Sequence, residues 1–201
     1  MNLWTKHGQS LYVSDSETYT VKQALEQAVA KRIHLRKISL HDKDLSGAQL
    51  SGARIPHARL RYAVCIRTDF TNATLEYSDC VSANFTSAKF VNADCFSADF
   101  TNAKFVNADC TGTDFTNVTF VDTNCICANF TNAKFVNAVY TGADFTNARF
   151  TNAHISYSCF VDCDFRYAKF DNASIADSTF INCKNPPAHS TSSHSVPQEV
   201  S

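Results

Sequence analysis

The side chains best suited to chemistry are nine cysteines and seven histidines in a chain of 201 residues. Cys125 and Cys127 form a C-x-C pair that would offer two thiolates to a zinc ion, and His189 and His194 follow in a polar tail. The periodic pattern described below, however, places Cys125 inside the molecule and Cys127 outside. The two thiols then cannot face one metal, and we expect no metal site.

Acidic side chains recur in pairs along the chain, which would suit general acid–base catalysis. Most of them occupy one fixed outward slot of the pattern, so the pairs follow from a structural repeat without any catalytic role. The sequence also lacks the motifs typical of nucleotide-binding proteins, serine hydrolases and zinc proteases. We predict that the protein is not an enzyme and uses no cofactor.

A period of five residues must position these side chains. From Leu40 to Phe180 every fifth residue, here called the central slot, is large and apolar or is Cys at all 29 positions. Two residues before each one, from Ala48 to Ser178, the chain holds Ala, Ser, Thr, Val or Cys. This period matches neither the helical period of about 3.6 nor the strand period of about 2. A solenoid of stacked turns is therefore predicted.

The central slot and the small slot before it are predicted to point inward and form the core. Five cysteines share the central slot with Leu and Phe, which indicates reduced core residues in a cytoplasmic protein. The sequence leaves open whether Cys163 and Cys183 form a disulfide. The predicted structural core contains Phe85, Phe90, Phe100, Phe105, Phe115, Phe120, Phe130, Phe135, Phe145 and Phe150.

The slot two residues after the centre is rich in Asn and Gly, which tolerate a positive φ. Each pentapeptide is therefore predicted to contain a corner at this slot. Four tyrosines also fall in it, and their exposed rings are candidates for binding a protein: Tyr62, Tyr77, Tyr157 and Tyr167.

Three parts of the chain differ in pattern. Residues 1–33 are predicted to be an N-terminal cap with a short strand and a helix, whose start at Thr20 has a capping box with Gln23. Residues 34–184 form the repeat. Residues 185–201 are polar and rich in Pro and Ser, so this C-terminal tail is predicted to be disordered.

Units such as A-D-F-T-N and A-K-F-V-N resemble the pentapeptide-repeat family, over about three quarters of the chain. The resemblance implies an all-β fold, a right-handed quadrilateral parallel β-helix with four pentapeptides per turn, here about seven turns. It also favours a bacterial or phage origin. Some members mimic B-DNA and inhibit or protect DNA gyrase, so a gyrase binder of the topoisomerase-inhibitor or quinolone-protection type is an alternative function.

The charge pattern argues against a DNA mimic. The whole chain has a net charge of −1, and residues 38–183 contain 15 acidic and 11 basic side chains, a net charge of −4. A second period of 15 residues, three quarters of a turn, mixes Lys with Asp on every face. Direct binding of nucleic acid is not expected either. The sequence contains no signal peptide and no membrane-spanning run, from which we expect a cytoplasmic protein.

The function that remains is a protein-interaction scaffold without enzymatic activity, for a protein partner that the sequence does not identify. The best candidate interface is an exposed apolar stripe of Val81, Val121 and Val161 on the face of Tyr140. With the N-terminal edge capped, Phe180 and Ile181 at a bare C-terminal edge are expected to pair two copies into a homodimer.

Overall fold

The twenty-residue register of the repeat is the organising feature of the fold. The computed structural model describes residues 2–5, 8, 10–13 and 20–188. Parallel bridges join residues twenty positions apart, from His34–Arg54 at one end to Asp164–Lys184 at the other. Four pentapeptides therefore complete one turn of a parallel β-solenoid, which confirms the predicted fold class. The column that begins at His34 advances through seven such steps to Ser174.

Regular strands are short because each side of a turn has only three extended residues before the next corner. The N-terminal strands β1 (Asn2–Trp4) and β2 (Ser10–Val13) pair antiparallel. The last three turns contain one sheet in the order β3-β5-β7-β9 and another in the order β4-β6-β8, both parallel. Their bounds are β3 Thr119–Val121, β4 Lys134–Val136, β5 Val139–Thr141, β6 His154–Ser156, β7 Cys159–Val161, β8 Ser174–Ala176 and β9 Thr179–Ile181.

Corners occur at the predicted slot. Asn72, Asn92 and Asn132 have φ values of 56°, 54° and 59°, and Gly52 has 70°. The left-handed conformation recurs every five residues and turns the chain onto the next side of the coil. Asn and Gly suit these positions because they adopt positive φ at lower cost than other residues.

The acidic slot before the centre stabilises the same turns. Asp99 Oδ1 accepts hydrogen bonds from the Thr101 amide (2.9 Å) and the Thr101 hydroxyl (2.6 Å). Asp69 and Asp109 accept in the same way from the residue two positions later. These Asx turns account for the D-F-T sequence. The repeated carboxylates therefore have a structural role.

The core is filled as predicted. All ten predicted phenylalanines are buried, as are Cys65, Cys80, Cys95, Cys110 and Cys125. Neighbouring rings meet edge to face, for example Phe85 and Phe90 with centroids 5.1 Å apart at 80°. Hydroxyls in the small slot are satisfied by the backbone of the preceding turn, as where Thr113 Oγ1 donates to the carbonyl of Phe90 (2.6 Å).

A helix and a strand cover the N-terminal edge of the solenoid. Helix α1 (Val21–Ala30) begins at the predicted capping box and buries Ala24, Leu25 and Ala28. Lys22 Nζ donates to the carbonyl of Ser46 (2.8 Å), and Glu26 Oε1 accepts from the amide of Gln49 (2.9 Å). The carbonyl of Trp4 accepts from the amide of Ser39 (2.9 Å). These contacts satisfy backbone groups that an open edge would leave unpaired.

The C-terminal edge is not bare, contrary to the expectation from the sequence. Phe180 is only 3% exposed and stacks on Phe160, with ring centroids 4.6 Å apart. Pro187 is buried, and residues 185–188 line a cavity of about 540 Å³ together with Phe170 and Ile175. Of the tail predicted to be disordered, 185–188 thus lie against the last turn, and 189–201 lie outside the described residues. Replacing Phe180 would disrupt the core, so of the predicted pair only Ile181, 36% exposed, is available to a second copy.

Candidate functional site

The four corner tyrosines are exposed, as the slot assignment predicts. Their exposed fractions run from 51% for Tyr77 to 75% for Tyr167. Their φ values are 57° at Tyr62, 56° at Tyr77, 52° at Tyr157 and 62° at Tyr167. A bulky residue in the left-handed region is a true outlier, and it costs more conformational free energy there than Asn or Gly. The fold therefore holds these rings outward at an energetic cost.

The predicted apolar stripe is wrong in one residue, Tyr140. Tyr140 is fully buried, because it occupies a central slot and stacks between Phe120 and Phe160 with centroids 5.3 Å and 4.3 Å away. Tyr140 belongs to the same five-residue series as the core, and this position places its ring inside.

The valines of that stripe are outward but only half-buried, and they do not form a continuous surface. The twenty-residue register places Thr101 between Val81 and Val121, and Thr141 between Val121 and Val161. Val161 and Ile181 are direct neighbours across adjacent turns. The exposed valine that the prediction missed is Val139 (50%), which precedes a buried centre in β5.

The hydroxyl of Tyr140 has an unusual environment. Its Oη is buried and has no hydrogen-bond partner among the residues that the structure describes. Burial raises the pKa of this phenol well above its ordinary value, with smaller contributions from Cys125 and Cys163. The group therefore stays neutral, and it leaves a donor unsatisfied in the core.

An aromatic column runs along one corner near the N-terminal end. His57 stacks on Tyr77, with ring centroids 5.0 Å apart and 13° between planes. Tyr77 in turn meets Phe96 edge to face at 5.5 Å. On the next corner Tyr62 lies edge to face with His41 at 5.7 Å. Two of the corner tyrosines are therefore part of larger clusters, which were not predicted.

The charge of the chain is divided along the solenoid, a feature that the whole-chain balance conceals. Residues 31–67 contain nine Lys or Arg against two Asp, a net charge of +7. Residues 68–184 contain seven Lys or Arg against thirteen Asp or Glu, a net charge of −6. Counting charge in segments would have found this signal in the sequence.

The basic first turns also affect histidine. The pKa of His57 is lowered because partial burial removes water and because Arg36 and Lys37 repel a proton, with Glu76 acting weakly in the opposite sense. The imidazole is therefore held toward its neutral form although it lies in a positively charged region.

Two thiols lie in one column at the C-terminal end. The side chain of Cys163 is the largest cause that lowers the pKa of Cys183 to about 7, and the Cys163 thiol itself donates to the carbonyl of Val161 (3.4 Å). The side chain of Cys183, with burial, raises the pKa of Cys163. Both cysteines are free. Cys183 is thus a partly exposed thiol with thiolate character near neutral pH.

The other cysteines and histidines considered as metal ligands do not come together in one site among the described residues. Cys125 is buried and Cys127 is exposed, so the C-x-C pair is split between inside and outside as the slots predict. Within residues 2–5, 8, 10–13 and 20–188, no group of three or more His, Cys, Asp or Glu side chains has the arrangement of a metal site. His189 and His194 lie outside this part of the chain.

The chain matches known proteins at the level of the repeat. Residues 63–94, 93–124 and 128–166 match the sequence model of pentapeptide repeats, with eight copies. No curated protein matches the chain. Among the described residues, no helix has the length and apolar character to cross a membrane.

Three solved structures illustrate the fold likeness. A pentapeptide repeat protein from the thylakoid lumen of Arabidopsis thaliana is 25% identical over 67% of this chain and 75% of its own, with a TM-score of 0.42. HetL, a pentapeptide repeat protein involved in heterocyst differentiation regulation in the cyanobacterium Nostoc, is 17% identical over 81% and 93%, with a TM-score of 0.34. QnrB1, a plasmid-mediated fluoroquinolone resistance protein, is 16% identical over 74% and 82%, with a TM-score of 0.36.

These TM-scores are too low to support any inference about function. The repeat match is firmer, because its segments together span half of the chain and lie within the region of the twenty-residue register. The protein therefore belongs to the pentapeptide-repeat family.

Proposed function

We propose that the protein is a scaffold without enzymatic activity that binds a protein partner through side chains on the outside of the β-solenoid. The observation that supports this proposal is the set of four exposed tyrosines on left-handed corners. Ring contacts with His41 and His57 favour Tyr at Tyr62 and Tyr77, but at all four corners the left-handed backbone is adopted at lower cost by Asn or Gly. Tyr is enriched at protein interfaces because it offers a large rigid ring and a polar tip.

The test separates binding from stability. Replacing Tyr62, Tyr77, Tyr157 and Tyr167 by Asn should relieve backbone strain at each corner, offset at Tyr62 and Tyr77 by the loss of their contacts with His41 and His57. The variant should therefore stay folded, with a melting temperature close to that of wild type. The partner is first captured with wild-type protein from an extract of the source organism, then identified and purified. In a titration with this purified partner, the tyrosine variant should no longer bind.

A matched control keeps the tyrosines. Ser82, Ser87 and Ser97 also occupy left-handed corners, with φ of 58°, 57° and 54°. Changing these three to Asn should stabilise the corners and leave the affinity unchanged. If the tyrosine variant and the serine variant bind the purified partner equally well, the tyrosines are not the interface and the proposal fails.

We do not propose the alternative role of a DNA-mimicking gyrase binder. A mimic of B-DNA needs a dense and continuous negative surface, because each duplex carries one charge per about 1.7 Å. Here the first turns are positive, and acidic residues of later turns are neutralised in part by cations, as at Lys134–Asp114 (3.1 Å) and Arg166–Asp164 (2.8 Å).

A further inference from the structure

The positive charge of the first turns is concentrated on two adjoining sides of the coil. On one side, Arg54 precedes the buried Ile55, and Arg36 lies on the preceding turn. On the next side, Arg59 and Arg61 flank the buried Leu60. The corner between them is formed by Lys37 above His57. We call this set the basic patch: Arg36, Lys37, Arg54, Arg59 and Arg61.

Backbone register brings these residues together. The amide of Lys37 donates to the carbonyl of Pro56 (2.9 Å), and the amide of Leu40 donates to the carbonyl of Arg59 (2.8 Å). The cations therefore come from two adjacent turns, and these are separated by about 4.8 Å, the spacing of paired strands. Arg54 Nη1 also lies 2.7 Å from His34 Nε2, which holds one guanidinium along the side of the coil.

The patch ends abruptly along the axis. The next turns on the same two sides hold Glu76, Asp79, Asp94 and Asp99. Asp79 reaches back to Arg61 (3.5 Å), so the boundary between positive and negative surface lies between the second and third turns. A ligand that the patch attracts is thus confined to the N-terminal end of the solenoid.

We propose that the basic patch, with the corner rings of Tyr62 and Tyr77 beside it, binds an acidic segment of a protein partner. This inference rests on the proposed scaffold function and gives the chemistry of the partner at that end. Arg guanidinium groups bind carboxylates through two parallel hydrogen bonds. A surface of one sign also accelerates association with a partner of opposite sign and makes it sensitive to salt.

Two features favour an acidic polypeptide over nucleic acid. A duplex lying along the solenoid would bring its phosphates against the acidic third and later turns. A single strand is usually held by stacking its bases on open aromatic faces. Here His57 and Tyr77 stack on each other, and Phe96 also meets the ring of Tyr77, so these rings offer fewer open faces than separate rings would.

The test uses two fluorescent probes with the full chain, a poly-L-glutamate of about twenty residues and an oligothymidylate of about twenty nucleotides. Fluorescence anisotropy at about 50 mM and about 300 mM NaCl should show that the protein binds poly-L-glutamate and that its affinity falls about tenfold at the higher salt. Replacing Arg54, Arg59 and Arg61 by Glu should weaken that binding at least about tenfold at the lower salt.

The matched control makes the same change of charge elsewhere. Lys89, Lys104 and Arg149 are exposed and lie outside the patch, and reversing all three to Glu should leave glutamate binding within about twofold of wild type. Circular dichroism and thermal melting verify that both variants fold. If both variants lose binding equally, net charge alone governs the interaction and the proposal is overturned.

Two other results would also overturn it. Tighter binding of oligothymidylate than of glutamate, lost in the Arg variant, would assign the surface to nucleic acid. Salt-sensitive self-association of wild type in sedimentation velocity, absent from the Arg variant, would assign it to the acidic turns of a second copy. If the Arg variant binds the partner normally and the tyrosine variant does not, the basic patch does not bind the partner. The proposed scaffold function would still hold.

Discussion

Tyr140 carries a hydroxyl group into a column of phenylalanines. Its ring fills the same space as Phe120 and Phe160, yet the Oη atom has no hydrogen-bond partner in the part of the chain that the structure describes. Tyr140→Phe should therefore stabilise the protein by about 1 kcal/mol, because it removes an unsatisfied buried polar group without changing ring packing. Urea unfolding followed by circular dichroism measures the change.

The reverse substitution serves as its control. Phe120→Tyr brings a hydroxyl into the same column one turn earlier and should destabilise the fold by a similar amount. Lower stability of Tyr140→Phe than of wild type would mean that the hydroxyl has a partner in solution.

Cys183 should react with iodoacetamide near neutral pH. Its pKa is lowered to about 7 by the thiol of Cys163, so the rate of alkylation should rise through pH 7 as the thiolate forms. Cys163→Ala removes this neighbouring thiol, and the rise should then move toward the ordinary thiol value of about 8.5. Mass spectrometry of digested protein gives the rate for each cysteine.

Cys125 provides an internal reference in the same experiment. Burial raises its pKa well above the ordinary value, and it should remain unmodified until the protein is denatured. An unchanged pH profile in Cys163→Ala would contradict the effect assigned to the Cys163 side chain.

At the scale of single residues, the sequence predicts what the repeat dictates. The ten core phenylalanines and the corner tyrosines follow from their slots alone. The prediction that Tyr140 shares an exposed face with the valines is wrong, because the central slot buries its ring. The His57–Tyr77 stack depends on which residues lie twenty positions apart, so it could be found only once four units per turn was established.

The corners are the elements whose conformation the fold depends on most directly. Gly52 and Gly112 have φ of 70° and 68°, and a Cβ added at Gly52 would meet nothing within 4 Å. Gly52→Ala should therefore cost only the left-handed backbone strain, about 1–2 kcal/mol. Gly112→Ala should cost more, because its Cβ would collide with the amide oxygen of Asn92. Thermal melting of both variants compares the two costs.

The comparison is informative because the two sites share one column of corners. Equal losses at Gly52 and Gly112 would mean that the Asn92 side chain moves aside freely. A loss at Gly52 well below the expected range would argue against a fixed left-handed corner at that turn.

Among the elements, the helix and the corners were predictable and the C-terminal end was not. Capping signals and Asn-rich slots act locally, so the residues themselves specify them. The residues around Pro187 have the composition of a disordered segment, yet Pro187 is buried and 185–188 enclose a cavity with Phe170 and Ile175, because the last turn offers apolar surface. Composition alone does not report that surface.

For the molecule as a whole, the four residues after the last bridge decide how well the C-terminal end is closed. A chain ending after Lys184 lacks Pro187, whose burial is worth roughly 1–2 kcal/mol, and should expose Phe170 and Ile175. We expect faster amide exchange in the last turn and a tendency to dimerise there. Hydrogen exchange and light scattering measure the two effects.

A chain ending after Ala188 is the matched control, since it keeps the segment against the last turn. It should behave like the full chain in both measurements. If the chain ending after Lys184 is equally protected and equally monomeric, the 185–188 segment does not act as a cap. Adding Ile181→Lys to the shorter chain should restore the monomer, because that side chain is exposed beside the end.

The twenty-residue register gives the solenoid four equivalent sides in each turn. All four columns of the core accept the same side chains, so gain or loss of one pentapeptide, fifteen nucleotides in the gene, leaves the interior filled. Everything beyond the change, however, is rotated by a quarter turn about the axis. Gain or loss of one pentapeptide between Arg61 and Glu76 would therefore keep the fold and present the basic patch beside a different acidic side. Mutations of this kind change the surface of such a protein in discrete quarter turns.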